Sequence, residues 1–188
     1  LASGFVFLGE AFAFLGGRRR GEPSGKLAPT AFVNFLQNHD QIGNRALGDR
    51  LESIARASAI EAALAVTLLA PAIPMLFMGE EWGSKAPFPF FCDFKGDLAE
   101  AVRKGRRGEY AWAYAKHGDE VPDPLAPSTS ESAVLDWEAR HEAPGCTRLA
   151  LVRDLLAIRR REIMPRLAGA AFGEAHAADN GLLTANWR

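Results

Sequence analysis

Two short apolar runs in the chain are each followed by a polar stretch. Residues 31–36, AFVNFL, precede the polar residues from Asn38, and residues 74–78, PMLFM, precede GEEW. Apolar runs of this length with polar or Pro and Gly boundaries predict buried strands. Between them, residues 53–70 repeat apolar side chains at helical spacing, with Ser53 as the predicted N-cap. The order strand, polar loop, helix, strand, polar loop predicts a βαβ unit of a parallel sheet, and so an α/β fold.

The rest of the pattern predicts further helices, connections and one strand. Apolar residues at helical spacing predict an amphipathic helix over residues 149–164, which Pro165 ends. Two short helices are predicted over residues 97–104 and 108–116. Polar stretches that contain Gly or Pro predict loops over residues 16–30, 38–51 and 122–132. Apolar residues 1–15 predict a helix or a packed segment, and residues 181–188, GLLTANWR, predict the first strand of a further domain.

Composition and charge narrow the classes of partner. With 188 residues, 48% of them hydrophobic, the chain is long and apolar enough to bury one ordinary core. A net charge of −1 gives no support for bulk electrostatic binding to nucleic acid or to an anionic membrane, so a neutral partner is favoured. Cys92 and Cys146 lie far apart without a CxxC motif, which argues against a disulfide framework or a zinc site and favours the cytoplasm.

The first residues of the chain indicate whether it is a complete protein or a piece of a longer one. Leu1 is not an initiator Met, and residues 1–15 are interrupted by Glu10 and lack a basic leader. We therefore expect the chain to be a piece of a longer protein without a signal peptide in this part.

The polar stretch after the first predicted strand contains the clearest candidate chemistry. Asp40 stands beside His39, and a carboxylate in this position is suited to electrostatic stabilisation, general base catalysis or metal binding. The neighbouring Asn and Gln side chains both donate and accept hydrogen bonds, which suits a hydroxyl-rich ligand. A metal site is disfavoured because no second histidine follows at i+2 to i+4. The alternative is that His39 and Asp40 only cap the following loop.

Residues 35–51, FLQNHDQIGNRALGDRL, resemble the region after the seventh strand of the α-amylase superfamily, and residues 70–82, APAIPMLFMGEEW, are similar to its eighth-strand region. The longer strings NHDQIGNRALGDRL, LFMGEEWGSKAPFPFFCDF and LAEAVRKGRRGEYAWA resemble the malto-oligosyltrehalose trehalohydrolases in particular. The resemblance implies the C-terminal part of a (β/α)8 TIM barrel, about strands 7 and 8 with their helices. In that case residues 1–170 are a partial catalytic barrel and residues 171–188 begin a C-terminal β-sandwich domain.

The resemblance also implies a reaction and site residues. The reaction is hydrolysis, with retention, of the α-1,4 bond next to the trehalose end of malto-oligosyl-trehalose. Asp40 matches the family aspartate that stabilises the transition state, and His39 matches the histidine that hydrogen-bonds the same sugar. Further sugar contacts are expected from Asn38, Gln41 and Asn44. No segment of the chain matches the family's nucleophile or acid/base, so we expect this piece to be inactive alone.

Two carboxylates and several aromatic residues leave alternatives open. Glu80 or Glu81 either pairs with Asp40 in catalysis or is structural, and the resemblance favours the structural role because it places the acids elsewhere. The aromatic residues near the second strand either stack on glucose rings or pack the loop; they are Trp82, Phe88 and Phe90. Arg45 either contacts the sugar or braces the loop by pairing with Asp49 or another carboxylate.

The resemblance implies no cofactor, and the chain shows no ligand set for the structural calcium of some superfamily members. The expected substrate is malto-oligosyl-trehalose or a related α-glucan, with a functional link to malto-oligosyltrehalose synthase. The alternatives are another α-glucan enzyme, such as a branching enzyme or an amylase, and a non-catalytic carbohydrate-binding module.

Overall fold

The computed structural model describes residues 3–187, so Leu1, Ala2 and Arg188, at the ends of two predicted segments, lie outside the described residues. Within the described range the chain divides into two compact units. The first unit combines the residues up to Phe35 with Leu64–Met75 and with the residues from Arg153 onward. The second unit combines Leu36–Ala63 with Leu76–Val152.

Among the described residues of the first unit, six short strands form three two-stranded sheets. The strands are β1 Leu8–Ala11, β2 Arg19–Gly21, β3 Val33–Asn34, β4 Ile73–Pro74, β5 Phe172–Ala177 and β6 Leu183–Trp187. The pairs β1–β2 and β5–β6 are antiparallel, whereas β3 and β4 are parallel, with Val33 opposite Ile73. The predicted parallel pairing is therefore confirmed. The predicted bounds and burial are wrong: each strand is only two residues long, residues 75–78 lie outside β4, and Val33 and Ile73 are half-exposed.

Seven α-helices lie within residues 3–187: α1 His39–Gly43, α2 Leu51–Ile54, α3 Ala57–Leu69, α4 Asp97–Glu109, α5 Ala111–His117, α6 Pro127–Glu131 and α7 Gly145–Ile158. The predicted helices over residues 97–104, 108–116 and 149–164 are confirmed as α4, α5 and α7. A π-helical turn, Arg159–Ile163, continues from α7. No helix among the described residues is both long and apolar enough to span a membrane.

The helix predicted over residues 53–70 is confirmed over Ala57–Leu69 as α3, but its predicted start is wrong, because the chain breaks between α2 and α3. Ala55 has an extended backbone, with φ −127° and ψ 158°, and separates the two helices. Ser53 lies inside α2 and is not an N-cap. The apolar spacing persists across the break, which is why the pattern alone indicates one helix.

Four other predictions need correction. The predicted loops over residues 16–30 and 38–51 contain β2 and α1, and the predicted connection over residues 122–132 contains α6. No α-helix forms in the described part of residues 1–15, since the chain turns back there into β2. Gly16 and Gly17 make that turn with φ values of +63° and +81°, a conformation that glycine adopts without strain.

The end of α3 is held by a buried arginine from the π-helical turn. The Arg159 guanidinium donates to the carbonyls of Leu68 at 3.0 Å and Ala72 at 2.9 Å, and also to the carbonyl of Ala70. A helix C-terminus exposes carbonyls without partners in the helix, so one side chain here satisfies several of them. This clamp sets the turn that leads from α3 into β4.

Candidate functional site

The polar stretch after β3 folds into the first turn of α1, in the second unit. The Asn38 side chain is the N-cap: its Oδ1 accepts a hydrogen bond from the Gln41 amide at 2.8 Å. The capping role that the sequence left open for His39 and Asp40 therefore belongs to Asn38. Because the Asn38 side chain caps the helix, the side chains of His39 and Asp40 are available for other contacts.

His39 and Asp40 project from this turn into solvent. Their side chains are 70% and 76% exposed, and His39 Nε2 lies 3.4 Å from Asp40 Oδ1. An exposed pair of this kind contributes little to stability. The turn therefore presents a carboxylate, an imidazole and the exposed Gln41 on one short element, groups that together accept and donate hydrogen bonds to a polar ligand.

The far end of α1 is anchored, and Asn44 belongs to the anchor. The Arg106 guanidinium donates to the Asn44 Oδ1 at 3.0 Å and to the Gly43 carbonyl at 2.8 Å. The Tyr110 hydroxyl donates to the Asn44 carbonyl at 2.5 Å. Ile42, within the helix, has no exposed surface. Asn44 is thus used within the protein, whereas His39 and Asp40 at the other end are not.

Two buried polar residues close the loop that contains α1, and sequence reasoning missed both. The Gln37 side chain accepts from the Leu51 amide at 3.1 Å, which ties the start of the loop to its end. Arg50 is completely buried and donates to the carbonyls of Ala86 at 2.5 Å and Met78 at 2.8 Å. The signal for Gln37 was its position beside an apolar run; nothing local marks Arg50 as buried.

The remaining loop residues brace the same segment. The Arg45 guanidinium donates to the backbone carbonyl of Asp49 at 2.6 Å, so Arg45 does brace the loop with Asp49, through its backbone carbonyl. Gly48 has φ +68°, and a Cβ there would lie 2.3 Å from the Pro89 nitrogen. Its carbonyl accepts from the Phe88 amide at 2.9 Å. Only glycine permits this close approach between the loop and the aromatic segment.

The aromatic candidates take part in packing. Trp82 is only 4% exposed, and its ring lies 5.0 Å from that of Trp137. Phe88 is half-buried, with its ring 5.2 Å from Phe77 in an edge-to-face arrangement. Phe90 is the most exposed of the three candidates, at 39%. The packing alternative therefore describes the observed positions of Trp82 and Phe88, and the Phe90 ring, although more exposed, packs against the Arg106 guanidinium at 4.6 Å.

Glu80 is buried beside Arg50. Its side chain is 1% exposed, and its Oε2 accepts from the Phe77 amide at 2.9 Å. Burial raises the pKa of Glu80 to about 7, because the charged form loses hydration, while the Phe77 amide and Arg50 oppose this rise and Glu52 reinforces it. This position favours the structural role of Glu80 over a catalytic pair with Asp40.

Comparison with known proteins shows which proteins this chain is related to. No family model matches the chain. A malto-oligosyltrehalose trehalohydrolase from Deinococcus radiodurans is 41% identical over 160 residues, which are 85% of this chain and 27% of that protein. A malto-oligosyltrehalose trehalohydrolase from Arthrobacter ramosus is 44% identical over 132 residues, which are 68% of this chain and 22% of that protein. The chain belongs to the malto-oligosyltrehalose trehalohydrolase family.

A solved structure gives the same relationship at the level of fold. A 1.4 Å crystal structure from Salmonella typhimurium, provisionally described as an alpha amylase, is 45% identical to this chain and superposes with a TM-score of 0.85. The match covers 97% of this chain and 31% of that one. The fold is therefore that of a segment of an alpha-amylase-type protein. The chain spans about a quarter of the length of the curated relatives that it matches.

Proposed function

We propose that this chain is part of a longer glycoside hydrolase that releases trehalose from malto-oligosyl-trehalose. We call the longer polypeptide, of the relatives' length and containing residues 1–188, the full-length protein. The observation that carries the proposal is the exposed His39–Asp40 pair after a parallel strand, in a chain 41% identical to a trehalohydrolase. The bond cleaved is the α-1,4 bond next to the trehalose end.

Asp40 is proposed as the stabiliser of the transition state. Cleavage of a glycosidic bond with retention passes through an oxocarbenium-like sugar ring, and a carboxylate that binds its hydroxyls more tightly in that state lowers the barrier. Its 76% exposure and its position on an anchored turn support this role. His39 then hydrogen-bonds the same sugar. The nucleophile and the general acid/base are expected on other segments of the full-length protein.

The other proposed sugar contacts differ in how well their observed positions support them. Gln41 is exposed on the same turn as Asp40, which supports direct contact. Asn38 and Asn44 already hold other groups of the protein, so they contact a sugar only with the hydrogen-bonding capacity that remains. Trp82 packs against Trp137 and Phe88 against Phe77, and a stacking role for either requires these contacts to open on binding.

We also propose how the chain fits into the barrel. Residues 1–170 form the last part of a (β/α)8 barrel, with β3 and β4 as about its seventh and eighth strands, and residues 171–188 begin a β-sandwich domain. The parallel pairing of β3 with β4 and the separate antiparallel pair β5–β6 support this division. A barrel with most strands missing does not close, so the isolated chain is expected to show no turnover.

A second candidate is another α-glucan-acting enzyme, such as an amylase or a branching enzyme. The Salmonella typhimurium structure supports it, since a protein 45% identical is provisionally described as an alpha amylase. A non-catalytic carbohydrate-binding module is a third reading, which the family relationship supports less well.

We further propose a cytoplasmic location and a functional link to malto-oligosyltrehalose synthase. Free thiols at both Cys92 and Cys146 suit a reducing compartment. The link to the synthase follows from the proposed substrate alone.

Product analysis tests the proposal. The full-length protein is incubated with malto-oligosyl-trehalose, and the products are separated by chromatography. Free trehalose with a shortened glucan supports the proposal; maltose or a rearranged glucan favours the second candidate. Binding without turnover favours the carbohydrate-binding module. The isolated 188-residue chain, assayed in parallel, is expected to release nothing, and turnover by it would overturn the proposed division of the site.

A further inference from the structure

A basic stretch in α4, RKGRR, includes one arginine with an unusual environment. The side chain of Arg106 is 17% exposed, whereas that of Arg103 on the same helix is 43% exposed. The Arg106 guanidinium lies 4.6 Å from the ring centroids of both Phe90 and Tyr110. It is thus held between two aromatic rings by cation–π contacts and does not extend freely into solvent.

Within this environment Arg106 reaches the end of α1. Its two terminal nitrogens donate separately, to the Gly43 carbonyl at 2.8 Å and to the Asn44 side chain at 3.0 Å. Its charge also pairs with Glu109 at 3.1 Å. A planar fork of donors fits two acceptors at fixed positions, which a lysine ammonium does not reproduce. A positive charge at a helix C-terminus is in addition favourable to the carbonyls there.

The anchor matters because α1 is short. Five residues are far fewer than a helix needs to be stable by itself in water. The connection from the anchor to Asp40 is direct, since the Asn44 amide donates to the Asp40 carbonyl at 3.0 Å. The residue that Arg106 holds is therefore hydrogen-bonded to the residue that presents the carboxylate.

We propose that Arg106 is a positioning residue for Asp40: by fixing the C-terminal end of α1, it holds the Asp40 carboxylate where the transition state needs it. This inference rests on the proposed function. Misplacement of a catalytic group by about 1 Å lowers turnover by about 100-fold. Loss of the anchor is therefore expected to act on catalysis through the place of Asp40, with no change in the chemistry of its carboxylate.

The test compares Arg106→Met and Arg106→Lys with Arg103→Met in the full-length protein. Arg103 lies on the same helix and pairs with Asp123 at 3.0 Å and Glu100 at 2.7 Å, away from α1. We expect Arg106→Met to lower kcat by about 10- to 100-fold with a smaller change in KM, and Arg106→Lys to be intermediate. Arg103→Met should keep the wild-type kcat. Equal kcat for Arg106→Met and Arg103→Met would overturn the proposal.

A double-mutant cycle separates positioning from general stability. In an Asp40→Asn background the carboxylate is already absent, so Arg106→Met should lower kcat by little more. A full, multiplicative loss in that background would show that Arg106 acts without Asp40. If Arg106→Met fails to fold, the same cycle is made with Arg106→Lys.

A third measurement keeps this inference distinct from the proposed function. Wild-type protein that releases no trehalose would contradict the proposed function only. Hydrogen exchange of the amides in residues 39–44 then decides the positioning role, because it needs no substrate. Faster exchange in Arg106→Met than in Arg103→Met supports the anchor, and equal rates refute it.

Discussion

The burial of Glu80 predicts a specific dependence of stability on pH. Its pKa is about 7 in the folded protein against an ordinary value of 4.5, because burial disfavours the charged carboxylate. Below pH 4.5 the folded and unfolded states both hold the proton. As the pH rises, the unfolded state loses its proton first, so the stabilising contribution of protonated Glu80 declines and is gone above about pH 7.

The size of this contribution follows from the pKa difference. About 2.5 pKa units correspond to about 3 kcal/mol of unfolding free energy, of which about 2–3 kcal/mol is lost between pH 5 and pH 8. Glu80→Gln removes the titrating group and keeps an oxygen that can accept from the Phe77 amide. Relative to wild type, we expect the variant to gain about 2–3 kcal/mol in stability on going from pH 5 to pH 8.

Urea unfolding of the full-length protein at pH 5 and pH 8, followed by tryptophan fluorescence, measures this difference. Trp82 is buried two residues from Glu80, so it reports on the same loop. Glu81→Gln, which removes the adjacent and less buried carboxylate, is the matched control and should follow the wild-type pH dependence. Parallel pH profiles for wild type and Glu80→Gln would show that Glu80 titrates as an exposed carboxyl and would refute its assigned burial.

Two further predictions concern the fold that supports the site. Arg159→Met removes the donor to several buried carbonyls at the end of α3, so urea unfolding should show a loss of at least about 2 kcal/mol. Arg160→Met, an exposed neighbour, should change little. Gly48→Ala places a Cβ 2.3 Å from the Pro89 nitrogen at φ +68° and should cost about 1–3 kcal/mol. Gly105→Ala, in open space within α4, should instead stabilise by about 0.5–1 kcal/mol, and the opposite order of these glycine variants would contradict the packing described.

The elements that sequence patterns predicted correctly are those whose signals are local. The apolar run over residues 31–36 contains β3, the apolar spacing over residues 149–164 marked most of α7, and the short helix predicted over residues 97–104 is the first part of α4. The helix α1 was missed because its sequence, HDQIG, is mostly polar and includes a glycine. What stabilises it comes from Arg106, 63 positions from Gly43, as well as from its own cap. Local propensity does not report such distant contacts.

The residues of the candidate site also differ in whether a local sequence signal predicts them. His39, Asp40 and Gln41 were predicted as candidate ligands, and an exposed turn presents all three. The supporting arginines were not predicted, since a charged residue is expected at the surface unless its partners are known. Arg50 reaches a carbonyl 36 positions away, and Arg159 one 91 positions away. The strand β5 was missed for a similar reason: FGEAHA contains small and polar residues and is ordered by pairing with β6.

The most direct test of the central claim is the rate of trehalose release by the full-length protein with and without the Asp40 carboxylate. Asp40→Asn is expected to lower kcat by about 100-fold or more, because an electrostatic contact made in the transition state is lost. Asp49→Asn, in the same loop, should retain most activity, because the loop uses the Asp49 backbone carbonyl. Trehalose release by Asp40→Asn at the wild-type rate would contradict the account.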